Sequence, residues 1–185
     1  YYAREGSGDT VIIELPKGGY APLFMFLPVT ADLNGDGNED LVVLGAAYPI
    51  NGNTTKDPQP GRVFLGDGDG HFAPAPAELF PVDTLMTVHP RRAMLADFNA
   101  DGRPDMFISS QGWDTAPFPG EQNRLYLSLP DGGWQDATDA LPQINDFSHS
   151  SSVGDISGRG LIDIFVGNGY GGQNKIQSYT LLNNG

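Results

Sequence analysis

A chain of 185 residues with 10 basic and 23 acidic side chains carries a formal charge of −13, which argues against nucleic acid and anionic membrane as partners. It contains no cysteine, so disulfides and thiolate metal sites are excluded, and no apolar run approaches the roughly 18 residues that span a bilayer. With 25 glycines and 15 prolines set between short apolar runs, the sequence predicts many short strands joined by turns rather than disorder.

In chain order, the opening YYAREGSGDT lacks the pattern of a signal peptide, so any export signal is expected outside this sequence. YYAREGSGDTVIIELP reads as the last two strands of a preceding unit. Three segments then line up: ADLNGDGNEDLVVLG from Ala31, ADFNADGRPDMFISS from Ala96 and GDISGRGLIDIFVGN from Gly154. Their lead aspartates Asp32, Asp97 and Asp155 recur about 60 residues apart. Each acidic stretch runs into a β-rich segment (LVVL, MFIS, IFVG), then a polar loop, then a further strand in RVFLGDGDG, NRLYLSLPDGG or KIQSYTLLNNG. The first two units add a fourth strand in HFAPAPAEL and WQDATDAL.

Four short strands make a sheet with two faces to cover, and stacking such sheets around an axis covers them. The predicted fold is therefore all-β: four-stranded antiparallel blades of a β-propeller, about three blades of a larger ring. Residues 1–22 read as the end of a preceding blade, 23–82 and 83–142 as blades, and 143–185 as an incomplete blade. Further sequence or a second chain is expected to complete the ring. The alternative is a small open stack that stands alone with bare sheet edges.

The first loop, Asp32-Leu33-Asn34-Gly35-Asp36-Gly37-Asn38-Glu39-Asp40, and the second, Asp97-Phe98-Asn99-Ala100-Asp101-Gly102-Arg103-Pro104-Asp105, both fit D-x-N-x-D-G-x-x-D. Calcium takes about six to eight hard oxygen ligands in loose geometry. Oxygens at positions one, three and five can wrap such a cation, the glycine after position five allows the sharp turn, and the position-seven carbonyl (Asn38 or Arg103) and position-nine carboxylate (Asp40 or Asp105) close the shell. Two calcium sites are expected. The competing reading is a pair of Asx-rich turns without metal. An EF-hand is excluded, because its position-twelve glutamate would fall on Val43 or Ile108, both in strand-like runs. The run Gly66-Asp67-Gly68-Asp69-Gly70 lacks ligand spacing and reads as a hairpin turn.

The third loop departs from the pattern. It reads Asp155-Ile156-Ser157-Gly158-Arg159-Gly160-Leu161-Ile162-Asp163, with Arg159 where a ligand carboxylate should stand. Either the guanidinium folds inward and replaces the cation, bridging Asp155 and Asp163, or it points to solvent and leaves a degenerate loop.

These loops resemble those of FG-GAP/VCBS repeats, known from integrin α-subunit propellers and many secreted bacterial proteins. Asp32 to Asp40 followed by Leu41-Val42-Val43 and Gly45-Ala46-Ala47 is similar to the calcium loop and the Gly-Ala-Pro element, although Pro49 comes late and the second unit has Ser109-Ser110 there. Gly66 to His71-Phe72 resembles the Gly-rich turn plus Phe of VCBS repeats. The resemblance implies that segments 23–31, 91–97 and 147–154 are innermost strands feeding the acidic loops. It also implies that the loops at 48–61, 111–122 and 168–174 lie on the opposite face. Those loops carry Tyr48, Trp113, Phe118 and Tyr170, which either stack on sugar rings or a protein partner or pack against neighbouring blades.

His71, His89 and His149 fall in different parts of different units, and the serines around His149 form no nucleophile elbow, so no catalytic residue is assigned. The expected function is a calcium-stabilised binding module, secreted, periplasmic or at the cell surface, for glycan or protein. The alternative is the propeller scaffold of a secreted polysaccharide-active lyase or hydrolase, since the fold does not choose between these roles. Absence of cysteine fits a bacterial exported protein and many cytosolic ones alike. Asn53-Thr54-Thr55 is a formal glycosylation sequon, relevant only in a eukaryotic secretory pathway.

Overall fold

The runs that follow the acidic segments are nearly continuous in apolar residues, as expected of strands covered on both faces, and they are the second strands of three antiparallel sheets. The computed structural model describes residues 24–48, 54–80, 85–169 and 171–185. The strand reading of 1–22, the sequon at Asn53 and Tyr170 lie outside the described residues.

The first unit comprises β1 (Phe24–Ala31), β2 (Asp40–Ala46), β3 (Gln59–Pro60), β4 (Arg62–Gly66) and β5 (Phe72–Pro74). The second comprises β6 (Met86–Thr87), β7 (Pro90–Ala96), β8 (Asp105–Ser110), β9 (Glu121–Gln122), β10 (Arg124–Ser128) and β11 (Trp134–Asp136). The third comprises β12 (Asn145–Asp146), β13 (Ser148–Gly154), β14 (Asp163–Asn168) and β15 (Tyr179–Leu181). Strands β1-β2-β4-β5 form one four-stranded sheet, β7-β8-β10-β11 a second, and β13-β14-β15 a three-stranded third.

The register repeats from sheet to sheet. The first hairpin closes at Ala31 opposite Asp40, Ala96 opposite Asp105 and Gly154 opposite Asp163. The third strand sets Phe64 opposite Leu41, Tyr126 opposite Met106 and Leu181 opposite Ile164. Each first strand carries one bulge, at Leu27, Arg91 and His149. Two-residue ribbons tie neighbouring sheets, β3 to β6 and β9 to β12.

The first strands lie side by side, with β7 against both β1 and β13, so the sheets radiate from a common inner edge as propeller blades do. The core lies between blades rather than within them. Leu33, Val42, Leu44 and Val63 of the first blade pack with Met106, Ile108, Tyr126 and Trp134 of the second. Phe98, Phe107 and Leu125 of the second pack with Ile164 and Val166 of the third. Alternation along β8 thus sends Met106 and Ile108 one way and Phe107 the other. Each fully buried side chain of this size contributes about 1.5–3 kcal/mol.

On the third blade the outer face is bare in this structure. Ile156, Phe165 and Leu182 are 55%, 37% and 58% exposed. The residues that match them in register are Leu33 and Phe98, Val42 and Phe107, and Leu65 and Leu127, all packed between blades.

Candidate metal loops

Each acidic loop joins the first and second strands of its blade, and its lead aspartate folds it. Asp32 Oδ1 accepts the N–H groups of Gly35 (2.7 Å) and Asp36 (3.0 Å), and Oδ2 accepts that of Gly37 (2.9 Å). Asp97 takes the N–H groups of Asp101 (3.0 Å) and Gly102 (2.9 Å), and Asp155 those of Arg159 (2.8 Å) and Gly160 (2.9 Å). The turn needs positive φ at positions four and six. Glycine supplies it everywhere except at Ala100, which adopts φ 60°, a conformation costly for a residue with a Cβ.

The position-nine aspartates are buried and staple the loop to the third strand. Asp40 accepts the N–H of Leu33 through Oδ2 and that of Gly66 through Oδ1, both at 2.9 Å. Asp105 Oδ2 accepts Phe98 N–H at 2.8 Å and Asn99 N–H at 3.3 Å, while Oδ1 accepts Ser128 N–H at 2.8 Å and its hydroxyl at 3.3 Å. Asp163 accepts Ser157 N–H at 2.7 Å and Asn183 N–H at 2.8 Å. Burial pushes the Asp105 carboxyl up, against the pull of the Ser128, Phe98 and Asn99 amides. Burial works the same way on Asp163, but the Asn183 and Ser157 donors and Arg159 outweigh it and hold that carboxyl below the usual range.

Gly66, Ser128 and Asn183 were not among the residues the spacing pointed to. They occupy one register position, two residues past Phe64, Tyr126 and Leu181, so aligning the third strands exposes them.

The loops diverge at positions three and five. Asn34 Nδ2 donates to Asp36 Oδ2, and Asn99 Nδ2 to Asp101 Oδ2, both at 2.9 Å. Asp36 Oδ1 also accepts Asn38 N–H at 2.8 Å, and these bonds, Asn34 first, hold its carboxyl below the usual range. In the second loop Arg103 Nη2 reaches Asp101 Oδ2 at 2.5 Å.

Tested against calcium, the first two loops offer the right donor chemistry: three carboxylates and an asparagine oxygen each, at the same offsets. The side chains are nonetheless turned to the loops' own donors, and among the described residues no three carboxylate or imidazole groups gather closely enough to hold an ion. Binding calcium requires Asn34 and Asp36 to part, and in the second loop requires Asp101 to release both Asn99 and Arg103.

The third loop answers the question of Arg159 in part. The guanidinium folds inward: Nε donates to Ser157 Oγ at 2.9 Å, and Nη2 donates to the Asn183 carbonyl at 2.7 Å and lies 3.7 Å from Asp163 Oδ1. The expected bridge to Asp155 is corrected. Asp155 holds the loop amides of Arg159 and Gly160, and the guanidinium turns instead to Ser157, the Asn183 carbonyl and Asp163.

Among the described residues, the aromatic side chains of the long loops do not form one exposed platform. Trp113, expected as a stacking surface, is 7% exposed, with the Lys56 ammonium 5.9 Å from its ring centroid. Tyr48 is half-buried with its ring edge-on to His89 at 5.0 Å. Phe118 is half-buried against Phe147 at 5.3 Å. The Gly66–Gly70 run is a hairpin turn, in which Asp67 accepts the N–H groups of Asp69 and His71. His89 is buried, and burial, reinforced by Arg91, brings its pKa down to about 4.

Radial antiparallel sheets, each opened by an Asp-rich loop at one fixed register, define a propeller-type repeat module. A family model described as FG-GAP-like repeat matches residues 32–108 and again 97–166, and the chain belongs to that family. Repeats of this kind are typical of extracellular and surface proteins, and among the described residues no helix is long and apolar enough to cross a membrane. No curated protein gives a significant match.

Proposed function

We propose that this chain is part of a calcium-stabilised recognition propeller that works outside the cell or on its surface, binding a glycan or protein. The observation that carries the reading is the pair of loops Asp32/Asn34/Asp36/Asp40 and Asp97/Asn99/Asp101/Asp105, alike in sequence, register and hydrogen bonding. The Asn38 and Arg103 carbonyls complete each oxygen set. Calcium neutralises the carboxylates it gathers and holds the strand-one to strand-two turn, a structural role.

Further blades, from more sequence or a second chain, cover the Ile156–Phe165–Leu182 face, as the next blade covers the matching residues elsewhere. The long-loop residues Tyr48 and Phe118 keep part of their surface open to a ligand. Calorimetric titration of calcium into chelator-treated protein tests the metal. Two equivalents are expected, with a stabilisation of about 2.7 kcal/mol per site when free calcium is a hundredfold above Kd. A folded sample that takes up no calcium overturns the reading.

A further inference from the structure

The third loop does not fit the metal read into the other two, and the misfit is itself specific. We propose that Arg159 is this loop's resident cation, so that the third blade closes its strand-one to strand-two turn without metal. The contrast with the first two loops rests on their calcium reading; the role of Arg159 does not.

Three observations carry it. Positions three and five have changed together. In the first two loops an asparagine amide at position three donates to a carboxylate at position five. In the third the direction is reversed, with a guanidinium at five donating to the Ser157 hydroxyl at three. Next, the rest of the loop is conserved in geometry: Asp155 gathers the fifth- and sixth-position amides as Asp97 does, and Asp163, like Asp105, joins the third-position loop amide to an amide at the end of the third-strand segment. The charge has been exchanged without altering the turn. Last, the guanidinium does a cation's work of joining oxygens from separate segments: Ser157 Oγ from the loop, the Asn183 carbonyl from beyond β15, and Asp163 at the start of β14. Asn183 in turn donates Nδ2 to the Phe98 carbonyl at 2.7 Å, so the clamp reaches the second blade's loop. A calcium ion at Asp155 would meet a fixed positive charge at the position where its fifth-position ligand belongs.

Amide hydrogen exchange in chelator, on the intact chain and on Arg159→Ala, tests the clamp without any metal. The expected result is exchange roughly fivefold faster at Gly160 and Asn183 in the variant, the size of a charge-assisted hydrogen bond discounted for a side chain 45% exposed. Gly37 and Gly102 should be unaffected. Unchanged exchange at Gly160 and Asn183, or slowing of those amides by calcium in the unaltered chain, overturns the proposal. In parallel, Arg159→Asp should raise the calcium stoichiometry by one. If the first two loops bind and Arg159→Asp gains nothing, the proposal also falls. If the first two loops bind no calcium, the metal reading fails and the exchange result alone decides the role of Arg159.

Discussion

The second and third blades share strand register, loop amide bonding and a buried closing aspartate, yet they part at a few matched positions. Phe107 is buried where Phe165 is open, His89 stands where the third blade has Phe147, and Asp101 stands where it has Arg159. The loop's shape therefore belongs to its first and ninth residues, which bind backbone. Its charge is a separate choice made at the fifth. Burial of the second strand depends on what stands beside the blade, not on the strand's own sequence.

The largest test of this comparison is truncation of the matched phenylalanines. Phe107→Ala should cost about 3–5 kcal/mol in urea unfolding, as a cavity between two blades, while Phe165→Ala should cost under about 1 kcal/mol in this chain. Equal costs would mean that Phe165 is covered as Phe107 is.

Next comes the closing aspartate. Asp105→Ala strands the buried amides of Phe98 and Ser128 and should cost about 3 kcal/mol, with a similar loss for Asp163→Ala. A loss confined to one loop would separate the two turns that the geometry makes equivalent.

The buried imidazole gives a pH test. His89 is held at about 4, by burial first and then by Arg91, whereas the unfolded chain takes up the proton near the ordinary 6.5. Unfolding thus absorbs a proton between these values, so stability is full above pH 6.5 and falls as pH drops towards 4, by up to about 3 kcal/mol. His89→Phe, which copies the third blade, should flatten that part of the stability profile. An unaltered slope would show that other groups set it.

The smallest effect is expected at Arg103. Its partly exposed pair with Asp101 should contribute under about 1 kcal/mol to stability. Because Arg103 competes for the same oxygen, Arg103→Ala should tighten calcium at the second loop relative to the first. Weaker binding would make the guanidinium an aid to the site.

Much of this was legible in the sequence because it is local. The lead aspartate, the sixth-position glycine and the ninth-position aspartate fix the turn, the apolar runs fix the second strands, and the spacing of lead aspartates sets the repeat. The hidden parts depend on where distant backbone goes. Trp113 reads as a loop aromatic, but its loop returns on itself: a Cβ on Gly112 would lie 2.3 Å from the Gly120 carbonyl oxygen. Glycine at 112 permits that approach, glycine at 120 lets the Asn145–Asp146 backbone close over the same loop, and the tryptophan is tucked in. Similarly, Asp155 and Asp163 were visible partners for Arg159, whereas the Asn183 carbonyl, 24 residues on, offers itself only once β15 has paired with β14.

The register of the lead aspartates has a consequence for how such chains lengthen. Both family matches begin at a lead aspartate, Asp32 and Asp97, which sits between the first and second strands and not at a blade's edge. A segment copied from one such aspartate to the next carries the second, third and fourth strands of one blade and the first strand of its neighbour. Its new junction falls in a loop whose strands meet at the same pairing in every blade. Duplication or loss of that segment would leave every sheet with its full set of strands and change a ring by whole blades. A cut at the blade edges would instead sever the ribbons β3–β6 and β9–β12, which cross those edges, and each new neighbour would have to supply a fresh one.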